Sequence, residues 1–175
     1  PSSPPPRASS QGSLIGCVLP SAIRKATPRS DTSPPNVTTN DGNVFAIDGG
    51  SGKIIWQYKP QNSAGYKNFG VAANRGLAYC GGKLFILRLD MRVVALRPAD
   101  GKVVGELSIG QDVPDANVAN GYSETSTAVC ANGKLVFGAA GSERGNRGFV
   151  MAYTPDLKPA WPSPFWTIPP DRQAW

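Results

Sequence analysis

Residues 43–56 read NVFAIDGGSGKIIW, and the same pattern returns twice further along the chain. The second copy is RVVALRPADGKVVG at 92–105, and the third is FVMAYTPDLKPAW at 149–161. Each copy reads as a strand, a turn of about four residues, a lysine and a second strand that ends in Trp or Gly. The copies begin roughly 50 to 60 residues apart, a period typical of repeated β-units.

Two further apolar runs precede the second and third copies. They read GLAYC-GG-KLFILRL at 76–89 and STAVC-ANG-KLVFGAA at 126–140, and each divides into two strands at a tight turn. One unit therefore contains four strands, which we call A to D in chain order. Four-stranded units at this period predict an all-β chain with a β-propeller fold. We expect about two and a half blades within residues 36–175, after a low-complexity, disordered leader at 1–35.

Composition excludes several classes of function. The net charge is +6, but the first 30 residues carry four basic side chains and no acid, so the rest of the chain is nearly balanced. We therefore predict no nucleic-acid binding. The chain has no histidine and no C-x-x-C pair among its three cysteines, which argues against His-dependent catalysis and against a zinc site. No apolar run reaches the ~18 residues of a membrane span, and none is expected.

The third unit has a longer loop between strands B and C than the second unit. The extra residues fall in GSERGNRG at 141–148. In an antiparallel A-B-C-D unit, the B–C loop lies at the same end as the start of strand A. Arg75 and Thr125 stand at the starts of strand A in the second and third units. We therefore predict that these two residues line one face of the propeller together with Glu143.

Several segments resemble the quinoprotein alcohol dehydrogenases. They are ANRGLAY at 73–79, TSTA at 125–128, GAAGSERGNRGFVMAY at 138–153 and the Gly-Lys turns followed by Trp. The resemblance implies a fragment of an eight-bladed propeller that uses pyrroloquinoline quinone (PQQ) and Ca²⁺, with a lanthanide in some members. It also implies a periplasmic location, a small-molecule alcohol as substrate and an electron acceptor such as a cytochrome c or a quinone.

The same resemblance assigns roles to residues at this end of the blades. Glu143 corresponds to the family's carboxylate ligand of the metal, in keeping with the preference of Ca²⁺ for carboxylate oxygen. Gly141 and Ser142 correspond to the loop that approaches the quinone. Thr125 corresponds to a hydroxyl that contacts a PQQ carboxylate, and Arg75 to an arginine that pairs with the quinone's oxygens.

Each assignment has a structural alternative. Glu143 would instead pair with Arg144 or Arg147 on a solvated loop. Arg75 would be the partner in a salt bridge between blades, and Thr125 would be an ordinary strand hydroxyl. We interpret Arg147 as a structural residue that holds the long loop through backbone carbonyls.

The sequence also departs from the family. Many members have two adjacent cysteines that cover one face of PQQ, and Phe69 and Gly70 stand at those positions here. The family's general base and its remaining metal ligands belong to blades that would follow Trp175, so we predict no catalytic residue within this chain. Two other interpretations stay open: a non-catalytic propeller scaffold built from PQQ-type repeats, and an inactive truncated product.

The repeat also predicts packing roles. We expect Trp56 and Trp161 to pack between blades. We expect Cys80 and Cys130 to be small buried residues near the A–B turns. Their equivalent positions in adjacent blades would permit a disulfide, but we do not expect one.

Overall fold

The computed structural model describes residues 36–39, 41–61, 73–140 and 145–167. These residues form β-strands and two short 3-10 turns, which confirms the predicted all-β class. In chain order the strands are β1 (Asn36–Thr38), β2 (Val44–Ile47), β3 (Ile54–Tyr58), β4 (Ala78–Cys80), β5 (Lys83–Arg88), β6 (Arg92–Leu96), β7 (Val103–Ser108), β8 (Val129–Ala131), β9 (Lys134–Ala139), β10 (Phe149–Tyr153) and β11 (Phe165–Trp166). The 3-10 turns, Ile109–Gln111 and Val118–Asn120, lie between β7 and β8.

The strands form three antiparallel sheets in which neighbours in sequence are also neighbours in space. The first sheet contains β1 to β3, the second β4 to β7, and the third β8 to β11. The second and third sheets are therefore the four-stranded units that the sequence predicted. Within the described residues, the first sheet supplies strands B, C and D of the first unit. This up-and-down order is that of propeller blades.

Strands β5 and β6 of the second sheet are buried on both faces, because this sheet lies between the other two. Successive side chains of a strand point to opposite faces. Along β5, Leu84 and Ile86 pack with side chains of the first sheet, whereas Phe85 and Leu87 pack with side chains of the third. The continuous apolar run of this strand is thus explained by two hydrophobic cores, one on each side of one sheet.

The three C–D turns share one closing hydrogen bond, although the third turn is one residue shorter than the other two. In each, the first residue donates its N–H to the carbonyl of the lysine that ends the turn, at 2.8 Å, and the pairs are Asp48 with Lys53, Arg97 with Lys102, and Thr154 with Lys158. The residue with positive φ is Gly52 (70°) in the first turn, Gly101 (69°) in the second and Leu157 (59°) in the third. The recurring Gly-Lys motif is therefore explained by the left-handed position that precedes the lysine.

The first and second sheets are joined by a tryptophan that docks on a glycine. The Nε1 of Trp56 donates a hydrogen bond to the carbonyl of Pro98 at 2.9 Å. The Trp56 ring lies so close to Gly101 that a Cβ on this glycine would stand 2.4 Å from the ring atom Cε3. The predicted packing role of Trp56 between blades is confirmed, and the partner is the C–D turn of the next blade.

At the junction of the second and third sheets, the small residue lies on strand D and the large residue lies on the C–D turn, which is the reverse of the Trp56–Gly101 contact. Gly105 pairs with Ala95, as Trp56 pairs with Ala46 in the first sheet. At the junction with the third sheet, a Cβ on Gly105 would lie 3.2 Å from Cδ1 of Leu157. A small residue on strand D therefore faces a large residue on the next turn, where the first junction has a large residue facing a small one.

The fourth strand of the third unit differs from the prediction. We expected a strand through Lys158 to Trp161, but the ladder there is reduced to one bridge between Tyr153 and Pro159. Pairing resumes only at β11, where Trp166 lies opposite Phe149. Proline cannot donate a ladder hydrogen bond, and PAWPSP at 159–164 contains three prolines. These prolines account for the interrupted strand.

The prediction for Cys80 and Cys130 was wrong. The two residues form a disulfide with a Cα–Cα distance of 5.6 Å. Cys80 is buried, but Cys130 is exposed on β8. Strands β4 and β8 each form an edge of their sheet and lie in contact with one another. Equivalent positions on these two strands are therefore near enough to be bridged, as the repeat had permitted, and the error was to expect no bridge.

Candidate functional site

The residues predicted from strand A meet at one end of the second and third sheets. Arg75 lies just before β4, and its Nη1 donates hydrogen bonds to the carbonyl oxygen of Thr125, at 3.2 Å, and to the hydroxyl oxygen of Thr125. The two residues are 50 positions apart, the same separation as the two bridged cysteines. The contact crosses between blades, as the structural alternative for Arg75 proposed, but the partner is an uncharged threonine.

Arg75 retains hydrogen-bonding capacity. A guanidinium has five N–H donors, and within the described residues only the Nη1 atom of Arg75 makes hydrogen bonds. The side chain is exposed, and Thr125 is half-buried. Arg75 can therefore hold Thr125 and still present donors to an anionic or quinone oxygen.

A neighbouring asparagine fixes the backbone of Arg75. The amide nitrogen of Asn74 donates to the carbonyl of Leu87 at 3.1 Å. Its amide oxygen accepts from the N–H of Gly76 at 3.0 Å. Asn74 thus ties the start of strand A to the end of strand B. The sequence reasoning missed this role, although Asn before a glycine turn is a recognisable signal.

The end of the B–C loop of the third unit is held by Tyr122, in the segment before β8. The hydroxyl of Tyr122 donates to the carbonyl of Arg147 at 2.8 Å. The guanidinium of Arg147 lies over the ring of Trp166, 4.3 Å from its centroid. The structural role predicted for Arg147 is supported, although its guanidinium contacts an aromatic ring. The loop and the segment before β8 therefore lie at the same end of the third sheet.

Three of the predicted site residues fall outside the described part of the chain. Gly141, Ser142 and Glu143 belong to residues 141–144, and Phe69 belongs to residues 62–72, both of which are outside it. Their assignments as cofactor or metal contacts stay predictions. The described residues bring Arg75 and Thr125 together.

The segment before β8 contains buried polar atoms that have no hydrogen-bonding partner among the described residues. They are the hydroxyl oxygens of Ser123 and Thr127 and the carboxyl oxygen Oε2 of Glu124. Glu124 is only 2% exposed. Its other oxygen, Oε1, accepts from the N–H of Ser126 at 2.9 Å and from the hydroxyl of Ser126 at 2.6 Å. Buried polar atoms without partners are rare in proteins, and strain, an ordered water or a bound ligand accounts for them.

Glu124 was not selected from the sequence, because it looks like an ordinary polar residue before a strand. Burial raises the pKa of its carboxyl above the ordinary value of 4.5, and this effect outweighs the hydrogen bonds from Ser126 and the positive charge of Arg75, which lower it. An apolar environment disfavours the ionised carboxylate. The segment that holds Thr125 therefore also holds a carboxyl whose pKa lies above its ordinary value.

We expect this carboxyl to make the stability of the chain depend on pH in a defined direction. Below 4.5 the group is largely protonated in both states, and the folded protein has its full stability. As the pH rises, the unfolded chain releases the proton first, so the free energy of unfolding falls until the pH exceeds the raised pKa of the folded state. Urea unfolding across this range measures the effect.

The matched control is Glu124→Gln, which removes the titrating group and keeps the size and the acceptor for Ser126. Several exposed aspartates have lowered pKa values, among them Asp100 beside Arg97 and Asp156 beside Lys83. These aspartates add stability as the pH rises, equally in both proteins. The difference between the two curves therefore isolates Glu124. Parallel curves would contradict the prediction.

The chemistry of the site suits an anionic, oxygen-rich ligand. It offers a cation at Arg75, the hydroxyl of Thr125 and unpartnered polar atoms in residues 123–127. PQQ carries carboxylates and quinone oxygens, so the residues present fit this cofactor.

In the described residues no helix is long and apolar enough to cross a membrane.

Comparison with characterised proteins points to one family. The sequence profile of the glucose/ethanol/alcohol dehydrogenase β-propeller domain, whose short name is PQQ, matches residues 24–157. The quinohemoprotein alcohol dehydrogenase ADH IIB of Pseudomonas putida is 37% identical over 131 residues, which are 73% of this chain and 18% of that protein. The quinoprotein alcohol dehydrogenase PedH of Pseudomonas putida is 35% identical over 120 residues, 69% of this chain and 19% of that protein. The chain thus spans less than a fifth of the length of these relatives.

Solved structures agree with the sequence comparisons. A quinohemoprotein alcohol dehydrogenase from Comamonas testosteroni aligns with a TM-score of 0.69 at 28% identity, covering 80% of this chain and 20% of that one. A europium-containing methanol dehydrogenase aligns with a TM-score of 0.68 at 28% identity, covering 79% of this chain and 24% of that one. The repeat, the blade packing and these similarities together place the chain in the family of PQQ-dependent alcohol dehydrogenase β-propellers.

Proposed function

We propose that this chain forms part of a PQQ-dependent dehydrogenase that oxidises alcohols, and that it supplies part of the cofactor site. The observation that carries the proposal is the contact of Arg75 with Thr125 across two blades, at the end of the sheets where the long B–C loop also returns. Bound PQQ would supply the two-electron oxidation, and the metal would supply Lewis acidity.

In this proposal, Arg75 and Thr125 hold oxygens of PQQ from the two adjacent blades. Arg75 binds through the N–H groups that Thr125 does not use, and its charge favours an anionic cofactor. Gly141, Ser142 and Glu143 complete this side of the site, with Glu143 as a ligand of Ca²⁺ or a lanthanide. None of these residues is assigned as the base that takes the proton of the alcohol.

The surroundings of the enzyme follow from the same proposal. We propose a periplasmic location, which the disulfide between Cys80 and Cys130 supports because disulfides persist in oxidising compartments. A cytochrome c or a quinone would take the electrons. A relative that is 37% identical over 116 residues is the 1-butanol dehydrogenase (cytochrome c) of Thauera butanivorans, and this supports cytochrome c as the acceptor.

The test is a titration of the full chain with PQQ in the presence of Ca²⁺, followed by the absorbance of the quinone. We expect saturable binding, and we expect Arg75→Ala to weaken it by about 10- to 100-fold, because hydrogen bonds from charged groups contribute strongly. The control is Arg97→Ala, since Arg97 lies on the C–D turn at the opposite end and pairs with Asp100. Equal losses in both variants, or no binding by the unaltered chain, would contradict the proposal.

The metal assignment has its own test. Replacing Glu143 by Gln removes one negative charge and keeps the size of the side chain. We expect PQQ binding by the unaltered chain to tighten when Ca²⁺ is added, and we expect this response to shrink in the variant. An unchanged response would show that Glu143 is not a ligand, and it would leave the assignment of Arg75 standing.

A further inference from the structure

Two links join strand A of the second unit to strand A of the third unit. The first is the disulfide between Cys80 and Cys130. The second is the hydrogen-bonded contact of Arg75 with Thr125. On both strands the contact stands five positions before the bridge, so each link joins equivalent points of the two repeats. The contact lies before the strands begin, and the bridge lies beside the A–B turns.

Among the described strands, β4 and β8 share no backbone ladder that would set their register. They are edge strands of separate sheets, and each pairs with strand B of its own sheet. The core between the two sheets includes Ala78 and Ala128, which hold equivalent positions on the two A strands. Apolar contact is non-directional, so it brings the strands together without fixing how far one is shifted along the other. The disulfide fixes this shift, because it holds two Cα atoms 5.6 Å apart.

Another polar link joins the second and third sheets through different elements. The Nζ of Lys83 donates to the carbonyl of Pro155 at 3.0 Å and to the carboxylate of Asp156 at 2.7 Å. This link runs from strand B of the second sheet to the C–D turn of the third sheet. It therefore holds the two sheets together without joining the two A strands.

We propose that the Cys80–Cys130 bridge positions the cofactor contact, because it fixes the register of β4 and β8. Arg75 and Thr125 are then held at the spacing in which both bind oxygens of PQQ. The inference rests on the proposed function above and adds two positioning residues that do not touch the cofactor. A ligand that spans two blades binds more tightly when both of its contacts are already correctly spaced.

The experiment compares PQQ binding by the bridged chain and by a chain in which Cys80 and Cys130 are both replaced by Ser. Both proteins carry Cys17→Ser and no reductant is added, so that no thiol is left to react with the quinone. We expect the dissociation constant of PQQ to rise about tenfold without the bridge, which is typical of coupling between sites. Each apparent constant is multiplied by the folded fraction from circular dichroism, because only folded protein binds.

The same comparison in an Arg75→Ala background separates positioning from general support of the fold. If the bridge acts through the contact of Arg75 with Thr125, its loss should change PQQ binding very little once Arg75 is absent. General support would weaken binding by the same factor in both backgrounds. Lys83→Met is the matched control, because it removes the other link between these two sheets and leaves the bridge in place. It should leave the dissociation constant unchanged.

A stapled chain separates register from stability. The bridged chain is reduced in urea, both thiols are alkylated by one molecule of dichloroacetone, and the chain is refolded. The staple places a short carbon spacer between the two sulfurs. The loop stays closed, so the unfolded state is still restricted, but the spacing of β4 and β8 is no longer fixed. We expect the urea midpoint of the stapled chain to stay near that of the bridged chain, while PQQ binding weakens as it does in the double Ser variant.

The outcomes distinguish this inference from the proposed function. Equal PQQ binding with the disulfide and with the staple would overturn the positioning role while PQQ binding itself remained. Equal losses of binding in the two backgrounds at position 75 would overturn it as well. Failure of the bridged chain to bind PQQ would overturn the proposed function and this inference together.

Discussion

Reducing the disulfide between Cys80 and Cys130 should lower the free energy of unfolding by about 4 kcal/mol. The bridge closes a loop of 50 residues in sequence separation, and a cross-link of this span removes conformational entropy from the unfolded chain by about that amount. The loss is large compared with the stability of a typical domain, about 5–15 kcal/mol. Urea unfolding with and without a reductant measures it directly.

The matched variants make this result specific. Replacing Cys80 and Cys130 together by Ser should reproduce the loss, and a reductant should then have no further effect. Cys17→Ser is the control, because the bridge does not use that cysteine, and it should leave the free energy of unfolding unchanged. A reductant that leaves the midpoint of unfolding of the unaltered chain in place would contradict the prediction.

Adding a single methyl group at Gly101 should cost about 3 kcal/mol or more. Two effects combine in Gly101→Ala. The φ of 69° lies in the left-handed region, where a Cβ costs about 1–2 kcal/mol. The new Cβ would also stand 2.4 Å from Cε3 of Trp56, and overpacking of this kind costs about 1–3 kcal/mol. The free energy of unfolding in urea is the measured quantity.

Gly52→Ala is the matched control for the contact with Trp56. Gly52 occupies the equivalent position of the first C–D turn with a φ of 70°, and nothing lies within 4 Å of its would-be Cβ. The free energy of unfolding of Gly52→Ala should therefore fall only by the cost of a Cβ in the left-handed region, about 1 kcal/mol. In a Trp56→Leu background the two alanine variants should lose similar amounts. Equal losses in the unaltered background would mean that the tryptophan does not restrict this turn.

The sequence alone was sufficient to predict the strands of the units, except for the fourth strand of the third unit. Strand alternation and turn residues act over a few positions, so the repeated strand–turn–Lys pattern predicts a hairpin wherever it occurs. The Gly-Lys turns behaved as expected in the first two units. In the third, Leu157 takes the left-handed position. A leucine there gains contact with the neighbouring sheet at Gly105, and this gain depends on a residue about 50 positions away.

The candidate site was partly predictable from the repeat. Arg75 and Thr125 stand at the same point of two repeats, and repeats that stack bring equivalent points together. Glu124 was not predictable, because nothing local distinguishes a buried carboxyl from an exposed one. Its burial results from the packing of the surrounding segments, and burial in turn controls its protonation.

The sequence by itself thus determined the class of fold, the strand order within each unit and the end of the units at which Arg75 and Thr125 lie. Only the tertiary structure decided the Cys80–Cys130 bridge, the docking of Trp56 on Gly101 and the unpartnered oxygen of Glu124. The physical reason is the range of the forces involved. Strands and turns follow from neighbouring residues, whereas bridging, docking and burial depend on how closely separate sheets pack.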